Sequence, residues 1–173
     1  MSSSTLDAEL PAGNIRKLGQ EGDTFIMAPD PRDTEGFWFY WKFRVCGAAG
    51  RRLTFRFEGV DGVAPCCVGA RGPAVSRDRG ASWSWQADVP DAPDAPDDCF
   101  HFTFGETDAE VWFSMCLPYG VEEWDAFLSE TGFSSQVHTL CTTPKGNPVP
   151  LLELDRPTDA PGVILTARSS DTG

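Results

Sequence analysis

Hydrophobic side chains recur at every second position through much of this chain. From Phe37 to Cys46 the text FWFYWKFRVC places Phe37, Phe39, Trp41, Phe43 and Val45 on one side and Lys42 and Arg44 on the other, the period-two signature of a half-buried strand. After the turn-forming tract Gly47-Ala48-Ala49-Gly50, the alternation resumes with Leu53, Phe55 and Phe57 inward and Arg52, Thr54 and Arg56 outward. The spacing predicts a hairpin. Two further runs, Cys99 to Phe104 and Glu110 to Cys116, carry Phe100, Phe102, Phe104 and Val111, Phe113, Met115 on single faces, and Gly105 to Ala109 between them predicts a second hairpin.

Only one segment changes period. From about Val121 to Thr131, Trp124, Phe127 and Leu128 share a helical face, and Gly132 stands where a left-handed C-terminal cap belongs. Beyond it, VHTLCT, the turn TPKGNP and VPLLEL predict another hairpin. GVILTA, near the end, is an apolar run without alternation, as expected of a strand covered on both faces. Residues 1–23 are Ser-rich and polar with no sustained period, and predict a loose N-terminal arm. Several short strands at close spacing make the expected fold mainly β: an antiparallel β-sandwich over 24–132 with one short helix.

Composition narrows the function more than the fold. Of 173 residues, 40% are hydrophobic and 23% charged, a globular balance in spite of 17 Gly and 14 Pro. Twelve Phe and six Trp imply a core rich in aromatic rings. The net charge of −12 argues against nucleic-acid partners and acidic membrane surfaces, which require clustered Lys and Arg. No basic start followed by an apolar stretch opens the chain, and no run approaches the roughly 20 apolar residues of a membrane span, so a cytoplasmic protein is expected. Six cysteines (Cys46, Cys66, Cys67, Cys99, Cys116 and Cys141) are too dispersed for a disulfide scaffold and are expected as reduced, buried thiols.

Candidate chemistry is sparse. Ser76-Arg77-Asp78-Arg79-Gly80-Ala81-Ser82-Trp83 fits the Asp-box pattern Ser-x-Asp-x-Gly-x-Thr-Trp, with Ser82 in the Thr position. In such a box the Asp carboxylate holds backbone N–H groups in a turn, and the Trp anchors that turn to a sheet. A single copy predicts a structural turn rather than a sugar-processing propeller. The stretch Asp88 to Asp98 carries five carboxylates, but it lacks the glycine of a calcium loop and is stiffened by proline, so a solvated loop is expected. For zinc, Cys66 and Cys67 are adjacent, His101 and His138 are solitary, and no His-x-x-Glu exists anywhere in the chain. No Gly-x-Ser-x-Gly elbow is present either. No catalytic or metal-binding residue is assigned, and Arg44, Arg52 and Arg56 are expected to be solvated strand residues.

The ordered series Trp-Phe-Tyr (38–40), Phe-Arg-Val (43–45), Gly-Ala-x-Gly-Arg (47–51), Leu-Pro-Tyr (117–119) and Leu-Cys-x-Thr-x-x-Gly (140–146) resembles bacterial members of the cytosolic-type zinc carboxypeptidases, from about Gly13 to Arg168. The resemblance implies an N-terminal antiparallel β-sandwich, followed over 133–173 by the first strands of a truncated α/β catalytic domain. In an intact relative the sandwich would sit beside a site that removes C-terminal residues from peptides or proteins. It also implies a His-x-x-Glu zinc pair directly after the strand ending at Ala167-Arg168. Ser170 and Gly173 stand at those two positions, so the chain is expected to hold no zinc and to be inactive alone. A carbohydrate-binding sandwich is the rival expectation. It requires an exposed indole platform, whereas the resemblance expects Trp38, Trp41 and Trp112 to serve packing. Open edges on the strands at 149–154 and 163–167 predict self-association.

Overall fold

The structure is a computed structural model that describes residues 4–32, 40–59, 68, 72–86 and 98–154. Two compact units divide the chain, Met1–Pro118 and Tyr119–Gly173.

The first unit is a sandwich. Strands β1 (Thr5–Asp7), β4 (Lys42–Cys46), β9 (Glu110–Ser114), β6 (Ala74–Ser76) and β7 (Ser84–Trp85) form one sheet in the order β1-β4-β9-β6-β7. Strands β2 (Arg16–Glu21), β3 (Thr24–Ala28), β5 (Arg52–Phe57) and β8 (Cys99–Thr103) form the other, in the order β2-β3-β5-β8. All pairings are antiparallel except β3 with β5, which run parallel because the chain visits the opposite sheet, as β4, between them.

The alternation sorts the side chains as expected. Phe43, Val45, Leu53, Phe55, Phe57, Phe100, Phe102, Val111 and Phe113 are buried in one shared core, whereas Arg44, Thr54, Arg56, His101 and Trp112 lie on outward positions. The core is a continuous aromatic stack. Phe55 of one sheet meets Phe43 and Phe113 of the other with ring centroids 5.5 and 5.3 Å apart, and meets Phe100 of its own sheet at 4.8 Å. Each such ring contributes about 1.5–3 kcal/mol by leaving water, and more through ring packing.

Both hairpins expected within this unit are corrected. β4 and β5 lie in different sheets, as do β8 and β9; β4 pairs instead with β9 (Phe43 opposite Phe113) and β5 with β8 (Phe55 opposite Phe100). Residues 47–51 and 104–109 are therefore corners that carry the chain from one sheet to the other. The two corners are tied together: Gly47 N–H donates to the Ala109 carbonyl at 3.1 Å, Gly50 N–H to the Gly105 carbonyl at 3.1 Å, and Phe104 N–H to the Arg51 carbonyl at 2.8 Å. Period two states which face of a strand is apolar, and that face meets the same core whether the next strand lies beside it or across the layer.

The N-terminal segment is a second correction. Residues 1–23 were expected as a loose arm, yet they contain β1 and β2, and Asn14 is clamped by Asp30, whose N–H donates to Asn14 Oδ1 at 2.7 Å while Asn14 Nδ2 donates to the Asp30 carbonyl at 2.8 Å. β1 and β2 are edge strands that put few apolar side chains into the core, so pairing orders them more than burial does.

In the second unit, α1 (Val121–Thr131) ends at Gly132, whose left-handed φ of 73° and N–H donated to the Leu128 carbonyl at 3.0 Å form the expected cap. Glu123 closes the other end by accepting Gly120 N–H at 2.7 Å. A short 3-10 turn, Phe133–Gln136, leads into β10 (Val137–Thr142), which pairs antiparallel with β11 (Pro148–Leu152) as the expected hairpin. The apolar run at 162–167 lies outside the described residues. No helix among the described residues is long and apolar enough to cross a membrane.

Candidate functional site

Polar and aromatic groups gather on the outward face of the five-stranded sheet, around the turn that joins β6 to β7. Asp78 builds that turn. Its Oδ1 accepts Ser76 Oγ at 2.7 Å and Ser82 N–H at 2.9 Å, its Oδ2 accepts Ser82 Oγ at 2.5 Å, and Ser76 Oγ in turn accepts Gly80 N–H at 2.8 Å. Trp83 Nε1 donates to the Gly80 carbonyl at 3.1 Å, and β6 and β7 pair antiparallel on either side. Every side-chain oxygen of the Asp box is thus engaged inside the turn, the structural role expected of a single copy.

These bonds hold the Asp78 carboxyl down at about 2, chiefly through the Ser82 hydroxyl, then through the Ser82 N–H and the Ser76 hydroxyl. A carboxyl whose folded-state affinity for protons is depressed stabilises the fold above its ordinary range near 4, and that contribution disappears as pH falls through about 2. Acid titrations of the wild type and Asp78→Asn, followed by tryptophan fluorescence, are expected to differ in stability at neutral pH and to converge as pH falls from about 4 towards 2. Parallel curves across that window would contradict the assignment.

Lys42, at an outward position of β4, is nevertheless buried. Its ammonium lies 5.3 Å from the Trp83 ring and 5.6 Å from the Trp112 ring, a cation–π contact with both. Beside it, Trp112 Nε1 donates to Glu110 Oε1 at 2.7 Å, and Glu110 also faces Arg79 at 3.3 Å. Arg44 completes the row with Asp7 at 2.8 Å, Glu9 at 3.4 Å and Glu110 at 3.9 Å, and the hydrogen bond that its Nε donates to Asp7 Oδ1 holds its guanidinium still more firmly protonated. Alternation placed Lys42 and Arg44 on the polar side of their strand, but no sequence signal showed that Trp83 and Trp112 both pack against Lys42.

The remaining candidates each have partners of their own. On the four-stranded sheet, Arg56 faces Glu58 at 3.2 Å and Glu21 at 3.9 Å, Arg52 is exposed, and His101 Nδ1 hydrogen-bonds Thr54 Oγ1 at 2.9 Å. Arg44 and Arg56 are therefore ion-paired rather than merely solvated. His138, in the second unit, has Nε2 3.7 Å from Glu153 Oε2. Among the described residues no three His, Cys, Asp or Glu side chains are grouped to hold a metal ion. Ser170 and Gly173, the positions implied for the zinc pair, lie outside the described residues, as do Trp38, Cys66, Cys67 and residues 88–97 of the acidic stretch.

Cysteine burial is corrected. Cys46 and Cys99 are half-buried, and Cys116 and Cys141 are exposed; all four are free thiols. Cys46 and Cys99 occupy outward strand positions next to the inward Val45 and Phe100, which leaves them only half-buried. Partial burial still pushes the thiols of Cys46 and Cys99 upward, which keeps them protonated at neutral pH. The indoles follow the packing expectation: Trp41 is buried, and Trp83, Trp85, Trp112 and Trp124 are half-buried, so no described Trp forms the exposed platform a carbohydrate module needs.

No protein-family model matches the chain, and no curated protein matches it significantly. Solved structures do. A metallo-carboxypeptidase from Burkholderia cenocepacia superposes with a TM-score of 0.67 at 22% identity, covering 92% of this chain and 41% of its own. A metallo-carboxypeptidase from Pseudomonas aeruginosa, solved in complex with (2-guanidinoethylmercapto)succinic acid, gives a TM-score of 0.62 at 22% identity, covering 90% of this chain and 41% of its own. The chain thus spans about two fifths of the length of these structures. At this level of identity the likeness concerns architecture, and this mainly β chain, with one α-helix among its described residues, is built on the same plan as the corresponding two fifths of bacterial metallo-carboxypeptidases.

Proposed function

We propose that this chain is a non-catalytic accessory β-sandwich of a cytosolic-type zinc metallocarboxypeptidase, with β10 and β11 as the opening strands of the peptidase domain. The observation that carries the reading is the shared fold over about nine tenths of the chain, joined to the ordered sequence pieces from Trp38 to Gly146. In the intact enzyme the substrates are peptide or protein C-termini, and the sandwich flanks the site that trims them. Free thiols fit a reducing cytoplasm, where we place the protein.

The residues described do not fit a zinc site. Peptidase zinc needs three converging ligands and an open position for water, whereas His101 is engaged by Thr54 and His138 by a single Glu. No hydrolytic step is therefore derived for this chain. The purified protein is expected to contain no stoichiometric zinc and to release no C-terminal residue from acidic or basic peptides, with or without added zinc. Stoichiometric metal together with turnover that chelator abolishes would overturn the reading.

A further inference from the structure

The hairpin of the second unit has two unlike edges. Glu153 N–H donates to the Gln136 carbonyl at 3.1 Å, and Thr143 N–H donates to the Asn147 carbonyl at 2.9 Å, so 147, 149, 151 and 153 face β10 with their backbone groups. Positions 148, 150 and 152 consequently face away from it, and two of those three are proline, which has no N–H to offer. The outer edge of β11 is thereby poor in donors.

On β10 the same registry turns Gln136, His138, Cys141 and Thr143 towards β11, and Val137, Thr139 and Thr142 outward, with Leu140 as the extra residue of a bulge. None of these outward residues is proline, β10 is exposed over nearly its whole length, and Leu140 retains 55% of its surface. A two-stranded hairpin alone is marginal in water; among the described residues no strand pairs with the outer edge of β10, and such a donor-complete edge is a template for another strand.

We propose that β10 pairs antiparallel with the β10 of a second copy of this chain, extending two hairpins into one four-stranded sheet. Charge selects the occupant. Two copies each bearing a net charge of −12 repel, yet Thr131 to Pro144 is the longest run in the chain without Asp, Glu, Lys or Arg, and it contains β10. Antiparallel order also brings the turn after one β10, which carries the exposed Lys145, towards the segment preceding the other β10. That segment follows the end of α1, which carries Glu130 and has no basic residue in its last turn. The inference does not depend on the metallocarboxypeptidase reading.

The test is the solution mass of the full chain by multi-angle light scattering over a concentration series, alongside three variants. The wild type is expected at twice the 18.9 kDa chain mass. Thr139→Pro, which removes an outward donor and leaves the β11 ladder intact, is expected at the monomer mass with unchanged circular dichroism. Leu152→Pro, which removes the remaining donor of the other edge, is expected to stay dimeric. Lys145→Glu is expected to weaken the dimer at low salt, and adding Glu130→Lys to restore it. A wild type that stays monomeric throughout, a Thr139→Pro dimer, or dissociation by Leu152→Pro would each overturn the proposal, whereas zinc content and hydrolysis bear only on the function proposed above.

Discussion

Phe55→Ala is expected to cost about 3–5 kcal/mol of folding stability, the range for truncating a fully enclosed aromatic ring. Phe55 is wholly buried, and it touches the core in both layers: Phe43 and Phe113 across the sandwich, Phe100 and Phe25 within its own sheet, all with centroids between 4.8 and 5.9 Å. Deleting it removes the ring's transfer free energy and leaves a cavity lined by rings held on two separate sheets, so the surroundings can collapse only partly. Against a total stability of about 5–15 kcal/mol for an ordinary domain, such a loss shifts the urea midpoint steeply, and Phe55→Leu should recover part of it. A loss below about 1 kcal/mol would mean that the two sheets do not enclose a common core.

Gly80→Ala is expected to be the most damaging single-methyl change in the Asp-box turn, at about 1–3 kcal/mol. Two effects combine there. Gly80 holds a φ of +90°, which side-chain-bearing residues seldom adopt, and an added Cβ would stand 2.8 Å from Trp112 Cζ3 and 3.2 Å from Cε3. The indole cannot readily retreat, since its Nε1 is bonded to Glu110 and Lys42 packs on its ring. A double-mutant cycle separates the terms: in a Trp112→Leu background the steric share should vanish and the backbone share remain. Equal costs in the two backgrounds would show that Trp112 does not press on the turn.

Both predictions rest on features of different legibility. Phe55 as a core residue, the helix ending at Gly132, the Asp-box turn and the hairpin around TPKGNP were all readable, because each is specified by residues close together in the chain: an alternation, a period of 3.6 with its cap, a carboxylate two to four residues from the groups it binds. The packing of Gly80 against Trp112 was not readable. It joins a turn to a strand about thirty residues away, and only the placement of β6 beside β9 brings them together.

The candidate site divides in the same way. Sequence placed Lys42 and Arg44 on the side of β4 opposite Phe43 and Val45, as observed. It did not reveal that Asp7 and Glu9, from a segment expected to be loose, supply carboxylates to Arg44. An edge strand with one buried leucine, as in β1, carries almost no periodic signal; its order comes from backbone pairing with β4.

By itself, then, the sequence determined which side of each strand is apolar, where α1 begins and ends, and where the chain turns within a few residues. Tertiary structure alone decided which strands share a sheet. Alternation obliges Phe43 and Phe55 to face a core but is satisfied equally by neighbours in one layer and by partners across two. The choice fell to long-range pairing of β4 with β9 and of β5 with β8, locked by backbone hydrogen bonds between corners more than fifty residues apart in the chain.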